Sequence, residues 1–115
     1  MPIRIKRLYD EATDDDGHRV LVDRLWPRGI RREEAHVDEW LKLVAPSDEL
    51  RKWFNHKVDR WPEFRERYLA ELEAPDQQRQ LQRLRDLARW QPVTLLYGAS
   101  DAEHNQAVVL LEALT

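Results

Sequence analysis

The sequence predicts an α/β domain in which a small, largely parallel sheet is covered by helices on both faces, a three-layer arrangement of the Rossmann or flavodoxin type. Two apolar runs, at residues 20–22 and 93–97, have the composition of strands buried on both faces. Segments with helical spacing of apolar residues separate these runs, and such alternation is typical of parallel sheets. A length of 115 residues fits a single domain over residues 1–115.

Composition narrows the classes of function. The net charge is −3 with 36% charged residues, so nucleic-acid binding is not expected unless a local basic patch exists. The chain has no cysteine, which excludes disulfides, thiolate nucleophiles and cysteine-ligated zinc. No stretch approaches the roughly 20 apolar residues that span a bilayer, and the first residues lack a signal-peptide run. We therefore expect a cytoplasmic protein without a membrane partner.

The first part of the chain begins with strand and turn signals. Residues 2–9 alternate apolar and basic side chains, which predicts a half-buried strand at an edge of the sheet. Three aspartates and a glycine at residues 14–17 favour a solvated turn. Residues 18–26 predict a strand covered on both faces, which Pro27 ends.

The middle of the chain carries helix signals of different strength. Residues 31–36 favour a short helical turn, and residues 37–44 fit either a helix or a strand. Ser47 has the position of an N-cap and is followed by two acidic residues, which favour the positive end of a helix. A helix is therefore predicted from Ser47 to about Asn55.

The last part of the chain predicts three helices and one strand. Helices are expected from Asp59 and again after Pro75, because apolar residues recur there at helical spacing. No clear apolar stripe for a dimer marks the second of these, so no oligomeric state is predicted. Residues 92–100 are rich in apolar and β-favouring side chains and predict the central strand. Ser100 and Glu103 have the spacing of a capping box and predict the start of the final helix.

Polar side chains follow the two buried strands at the points where those strands end. Because ligands of parallel sheets bind at the carboxyl ends of the strands, we expect these clusters to form one site. The candidate residues, including two that the helix after Ser47 brings toward this edge, are Asp23, Arg24, Arg28, Arg51, His56, Asp101, His104 and Asn105.

The residue types of this site favour an anionic ligand. Arginine forks pair with phosphate or carboxylate, so the three arginines are expected to hold an anion such as a phosphorylated metabolite or nucleotide. Asp23 and His104 are acid/base candidates for a small enzyme, with Asn105 orienting the ligand. The alternatives are a structural ion pair for Asp23, a surface position for His104 and a cap for Asp101.

A second hypothesis uses the same edge of the sheet without catalysis. In that case the chain is an interaction module that recognises a protein, a nucleic acid or a small effector. The histidines and acidic residues lack the close spacing of metal-binding motifs, so no metal site is predicted, and the sequence specifies no cofactor.

Four segments carry a family resemblance: "VLVDRLWPRG", "APSDELRKWF", "RERYLAEL" and "VTLLYGASDAEHNQAVVL". Together they resemble the YeaO-like branch of the family called domain of unknown function 488 (DUF488), over nearly the whole chain. The resemblance implies a small, single-domain α/β protein of bacteria, located in the cytoplasm and without an established activity or cofactor.

Distant members of that family are similar to this chain in two places. They have Asp-Val-Arg after an early strand, and Cys-Glu followed by Cys-His-Arg after a late one. The resemblance places Asp23, Arg24 and His104 at matching positions, whereas Tyr97 and Glu103 stand near the cysteine positions. Thiol chemistry therefore does not carry over. The branch commonly has His-Asp-Pro after Trp-Phe, and this chain keeps only the histidine, His56.

Overall fold

The computed structural model describes residues 2–115 and contains a four-stranded sheet in which all neighbouring strands are parallel. Its strands are β1 (Ile3–Arg7), β2 (His18–Leu21), β3 (Glu39–Trp40) and β4 (Val93–Tyr97). They lie in the order β1-β4-β2-β3, which differs from the Rossmann and flavodoxin orders. The predicted α/β class is confirmed, as are the edge position of β1 and the central position of β4.

Five α-helices accompany the sheet within the described residues. They are α1 (Arg32–Ala35), α2 (Asp48–Phe54), α3 (Trp61–Glu71), α4 (Pro75–Leu87) and α5 (Gln106–Leu114). The N-cap predicted for α2 is confirmed, because Ser47 Oγ accepts a hydrogen bond from Leu50 N at 3.2 Å. The ambiguous residues 37–44 form both β3 and a 3₁₀ turn at Lys42–Val44.

The two faces of the sheet are covered unequally. Side chains from α2, α3, α4 and α5 pack with Val20, Val22, Val93 and Leu95 in the larger core. On the opposite face, Leu21 and Leu96 pack against Leu8 and Ala35 of α1, with two tryptophans beside them. The chain therefore leaves β2 toward one face and leaves β4 toward the other, which opens a crevice between the ends of these strands.

The sequence predicts a solvated turn at residues 14–17, but this prediction is wrong for Asp16, which is buried. Asp16 is only 2% exposed and binds Lys6 and Arg19, while its backbone oxygen accepts a hydrogen bond from Thr94 Oγ1. Gly17 follows at φ +62°, and a Cβ there would lie 2.1 Å from the carbonyl oxygen of Pro92. These contacts anchor the turn to polar side chains of β1, β2 and β4.

Two predicted boundaries differ from the structure. Strand β2 ends at Leu21, several residues before Pro27, although Val22 N still donates to Leu96 O at 3.0 Å. The predicted capping box of Ser100 and Glu103 is wrong: α5 begins at Gln106, and Asn105 Oδ1 accepts a hydrogen bond from Val108 N at 3.2 Å. The residues before Asn105 form a separate turn.

Candidate functional site

A cleft of about 720 Å³ lies at the carboxyl ends of β2 and β4. Its volume falls in the range of small-molecule sites, roughly 300–1,000 Å³. Seven of the eight predicted site residues line it, all except Asp101. The two strand ends therefore converge as the parallel topology predicts, while the functional roles of these residues stay predictions.

Asp23 forms part of the cleft wall and is held by neutral amide groups. Its Oδ2 accepts a hydrogen bond from Gly98 N at 2.9 Å, and its Oδ1 accepts one from the side-chain amide of Gln106. Trp40 Nε1 donates to the backbone oxygen of Asp23 at 2.7 Å. Burial raises the pKa of Asp23 to about 6, although the two amide hydrogen bonds act in the opposite direction.

Gly98 permits this arrangement because the backbone after β4 passes very close to Asp23. A Cβ at Gly98 would lie 2.8 Å from Asp23 Oδ2 and 2.8 Å from two carbons of Pro27. The loop is also tied to the edge strand, since Arg7 Nε donates to Ala99 O at 3.0 Å. The floor of the cleft is thus a tight junction between the ends of β1, β2 and β4.

Arg24 points away from its neighbour Asp23 and links β2 to the start of α2. Its Nε donates to Pro46 O at 2.8 Å, and its Nη2 donates to Ala45 O at 3.1 Å. Asp48 lies 3.9 Å away. The guanidinium is therefore largely engaged by the protein itself, and the predicted role of Arg24 in holding an anion is weakened.

Three other cationic side chains line the cleft: Arg28, Arg51 and Lys52. Arg28 lies in the exposed loop after β2, and α2 presents the other two. Arg51 Nη2 contacts Asp48 at 3.3 Å, while its Nε is buried with no hydrogen-bond partner among residues 2–115. Within those residues, Asp23 is the single acidic side chain of the lining, so the cleft is predominantly cationic.

His104 lies in the turn before α5 and forms a pair with Asp101. The distance from His104 Nδ1 to Asp101 Oδ2 is 2.9 Å, and the edge of the imidazole packs against Trp61. Hydrogen bonds, first that from Glu103 N and then that from the His104 side chain, lower the pKa of Asp101. A carboxylate at Nδ1 favours the proton there, which leaves Nε2 available to a ligand.

Asp101 and Asn105 have structural roles that limit their predicted part in ligand binding. Asp101 accepts backbone hydrogen bonds from Glu103 and His104 and stands outside the cleft lining. Asn105 is 2% exposed, and its side chain bonds Asp101 O and Val108 N. Both residues shape the turn that carries His104, so we assign them a structural role rather than a contact with the ligand.

His56 lines the cleft just beyond the end of α2. Asn55 and His56 both have positive φ, 46° and 56°, which reverses the chain after Phe54. The aromatic ring of His56 lies 6.3 Å from that of Phe54, measured between centroids. This turn brings the exposed imidazole of His56 to the cleft.

Tyr9, Lys52 and Gln106 are among the cleft residues that the sequence does not predict as site residues. Tyr9 donates its hydroxyl to Arg28 O, and Gln106 binds Asp23 across 83 positions of sequence. Lys52 has a local signal, because it follows Arg51 on the same helix. The contacts of Tyr9 and Gln106 join parts of the chain that are distant in sequence, so no local spacing predicts them.

No helix within residues 2–115 is long and apolar enough to cross a membrane. In the same part of the chain, no group of three or more His, Cys, Asp or Glu is arranged to hold a metal ion.

Comparison with known proteins identifies the family. The family model described as "Inactive DUF488-N3 subclade" matches residues 2–115. The chain belongs to the DUF488 family. It is 50% identical to the uncharacterized protein YeaO of Escherichia coli strain K12 over 114 residues, which cover 99% of this chain and 97% of YeaO. The YeaO-like assignment predicted from the sequence is therefore confirmed.

A mycobacterial relative extends the comparison. The uncharacterized protein Rv3073c of Mycobacterium tuberculosis H37Rv is 41% identical over 112 residues, which cover 97% of this chain and 92% of the relative. No solved structure matches this DUF488 chain.

Proposed function

We propose that this DUF488 protein binds a small anionic molecule, such as a phosphorylated metabolite or nucleotide, in the cleft at the ends of β2 and β4. The observation that carries this proposal is the charge of the lining. Arg28, Arg51 and Lys52 face a space that contains a single acidic side chain among the described residues. Arg28 and Lys52 also form no ion pair within residues 2–115, so their charges are available to a ligand.

Binding without turnover is the form of this function that the comparisons favour. The matching subclade is described as inactive, and the chain has no cysteine. Asp23 and His104 nevertheless line one cleft, as a small enzyme would require. Their hydrogen bonds to Gln106 and Asp101 fix both side chains, which serves recognition as well as acid/base chemistry. The relatives from Escherichia coli and Mycobacterium tuberculosis are bacterial, which agrees with the predicted bacterial origin of this chain. Its cytoplasmic location stays a prediction.

The test compares two double variants of equal net charge. Arg28→Gln/Arg51→Gln removes two cations from the cleft, and Arg79→Gln/Arg89→Gln removes two exposed cations outside it. Titration calorimetry with inorganic phosphate, AMP and ATP measures Kd, and thermal unfolding measures the stabilisation that a ligand of the folded state must produce. We expect the cleft variant to bind about tenfold or more weakly, since hydrogen bonds to charged groups contribute roughly 1.5–3 kcal/mol each.

Binding by the control variant should stay within about twofold of wild type. Equal weakening of both variants would attribute the affinity to net charge and contradict a site in the cleft. Absence of binding and of thermal stabilisation with every probe would contradict the proposal as a whole.

A further inference from the structure

Asp23 is a partly buried carboxylate that has no cationic partner in the part of the chain that the structure describes. Among residues 2–115, no Lys, Arg or His nitrogen lies within 4.0 Å of it, and its bonds come from the amides of Gly98 and Gln106. Removing an ionised carboxylate from water is costly unless a positive group compensates for the lost hydration. The raised pKa of Asp23, about 6, is the expected response to that situation.

The neighbouring cation is turned away from this carboxylate. Arg24 follows Asp23 in the sequence, yet its guanidinium is bound to the carbonyls of Ala45 and Pro46. The carboxylate is meanwhile fixed from the side of β4 and from α5. The fold therefore places the carboxylate of Asp23 in a predominantly cationic cleft, where it lines the cavity.

We propose that the ligand of this cleft is an amine-bearing phosphomonoester, whose ammonium group pairs with Asp23 and whose phosphate lies against Arg28, Arg51 and Lys52. This inference rests on the proposed function and narrows its ligand class. A plain anion gains from the cationic rim but is repelled by Asp23. A ligand that carries both charges gains at both places, because charge-assisted hydrogen bonds are stronger than neutral ones.

Matched pairs of ligands test the contribution of the amine. O-phosphoethanolamine is compared with ethyl phosphate, and 3-aminopropyl phosphate with propyl phosphate, by calorimetry at pH 7.5. In the wild-type protein, we expect at least one amine-bearing member to bind about tenfold more tightly than its partner. The two chain lengths allow for different distances between the ammonium and phosphate subsites.

Asp23→Asn removes the negative charge while it keeps the size of the side chain and an oxygen that accepts from Gly98. We expect the advantage of the amine to fall to about twofold or less, while the plain phosphate binds as tightly as before or more tightly. Glu73→Gln is the matched control, since Glu73 is exposed, lies outside the cleft and carries the same charge. That variant should retain the wild-type ratio.

A pH series gives a second test of the amine subsite. The ratio within each ligand pair should fall toward one between pH 7.5 and pH 5, as Asp23 takes up a proton. The phosphate charge also changes over this interval, and differently in the two members of a pair because the ammonium group lowers the second phosphate pKa, so the same series in Asp23→Asn supplies the baseline. The charged and titratable groups that face the same cavity are Arg24, Arg28, Arg51, Lys52, His56 and His104.

The outcomes separate this inference from the proposed function. Equal affinity of paired ligands for the wild-type protein at pH 7.5 would overturn the assignment of an ammonium subsite, and the anion site would stand. An advantage that survives in Asp23→Asn would also overturn it, because the amine would then bind elsewhere. Failure of every phosphate to bind would overturn both proposals.

Discussion

Asp23 depends on contacts from three separate parts of the chain. Trp40 at the end of β3 binds its backbone oxygen, Gly98 after β4 binds Oδ2, and Gln106 at the start of α5 binds Oδ1. Each donor is neutral, so the position of the carboxylate is fixed without an ion pair. The side chain is therefore oriented before a ligand arrives, which reduces the entropy that binding must overcome.

Gly98→Ala should disturb this junction through steric overlap alone. The added Cβ would meet Asp23 Oδ2 and Pro27 at 2.8 Å, closer than real contacts of this kind. We expect a loss of about 1–3 kcal/mol in the free energy of unfolding, measured by urea denaturation, together with weaker ligand binding. Ala99→Gly, at the next position, is the comparison and should affect stability by about 1 kcal/mol or less. Unchanged stability and affinity in Gly98→Ala would contradict the close approach.

Residue types predicted which side chains line the cleft better than they predicted the partners of each side chain. Asp23, Arg28, Arg51, His56 and His104 were placed at the correct edge because strand ends and chemical type are local features. The direction of a guanidinium depends instead on which acceptors lie nearby. Two backbone carbonyls between β3 and α2 accept hydrogen bonds from the Arg24 side chain. Every residue has a backbone carbonyl, so the sequence does not indicate which of them will bind an arginine.

At the scale of elements, the crevice exists because α1 and α5 cover opposite faces of the sheet. The loop from β2 and the loop from β4 diverge at adjacent strand ends, which creates a switch point in a parallel sheet. The start of α5 is consequently part of the site: it provides Gln106 for Asp23 and follows the turn that holds His104.

The start of α5 can be tested by removing each of the two competing caps. Asn105→Ala removes the observed cap and should lower the free energy of unfolding by about 1–2 kcal/mol. Ser100→Ala is the matched change at the position that the sequence predicts as a cap, and Ser100 is exposed without a cap contact to α5. We expect a change within about 0.5 kcal/mol for Ser100→Ala. Equal losses in chemical denaturation would favour a helix that begins earlier.

Elements with a single strong signal were predicted well. The unbroken apolar run of β4 and the serine cap of α2 each have one consistent interpretation, and both are confirmed. Two cap signals compete before α5. Asp101 closes a turn with Glu103 and His104, which uses the backbone groups that a helix starting at Ser100 would need. That competition depends on the tertiary position of the turn, so local spacing gives the wrong start.

At the scale of the whole molecule, two aspartates on different parts of the sheet have opposite effects on stability. Burial disfavours the charge of Asp16, but hydrogen bonds from Thr13, Lys6 and Arg19 outweigh it and lower its pKa to about 2. Asp23 lacks such cations, and burial raises its pKa to about 6. One carboxylate therefore stabilises the fold when ionised, and the other stabilises it when protonated.

The signs of these two shifts predict a stability profile with a maximum near pH 4. Below the ordinary Asp pKa of 3.8, the stabilisation from ionised Asp16 is progressively lost as the pH falls through about 2. Between pH 3.8 and about 6, the folded state binds more protons at Asp23 than the unfolded state does, so the free energy of unfolding decreases as the pH rises. The ceiling for this second effect is about 3 kcal/mol, at 1.36 kcal/mol per pKa unit.

Urea denaturation of two variants from pH 2 to pH 8 separates the loss of stability at low pH, which comes from Asp16, from the decline above pH 3.8, which comes from Asp23. Asp16→Asn should lose about 2–3 kcal/mol at pH 7, at 1.36 kcal/mol per pKa unit, because Arg19 would keep its buried charge without the carboxylate, and it should approach wild type near pH 2. Asp23→Asn should instead gain about 1–3 kcal/mol at pH 7.5 and lose the decline between pH 4 and pH 6. A wild-type profile that stays level across that interval, with no gain in Asp23→Asn, would mean that Asp23 is well solvated. Such a result would remove the physical reason for an ammonium subsite, since a hydrated carboxylate has no need of a cationic ligand.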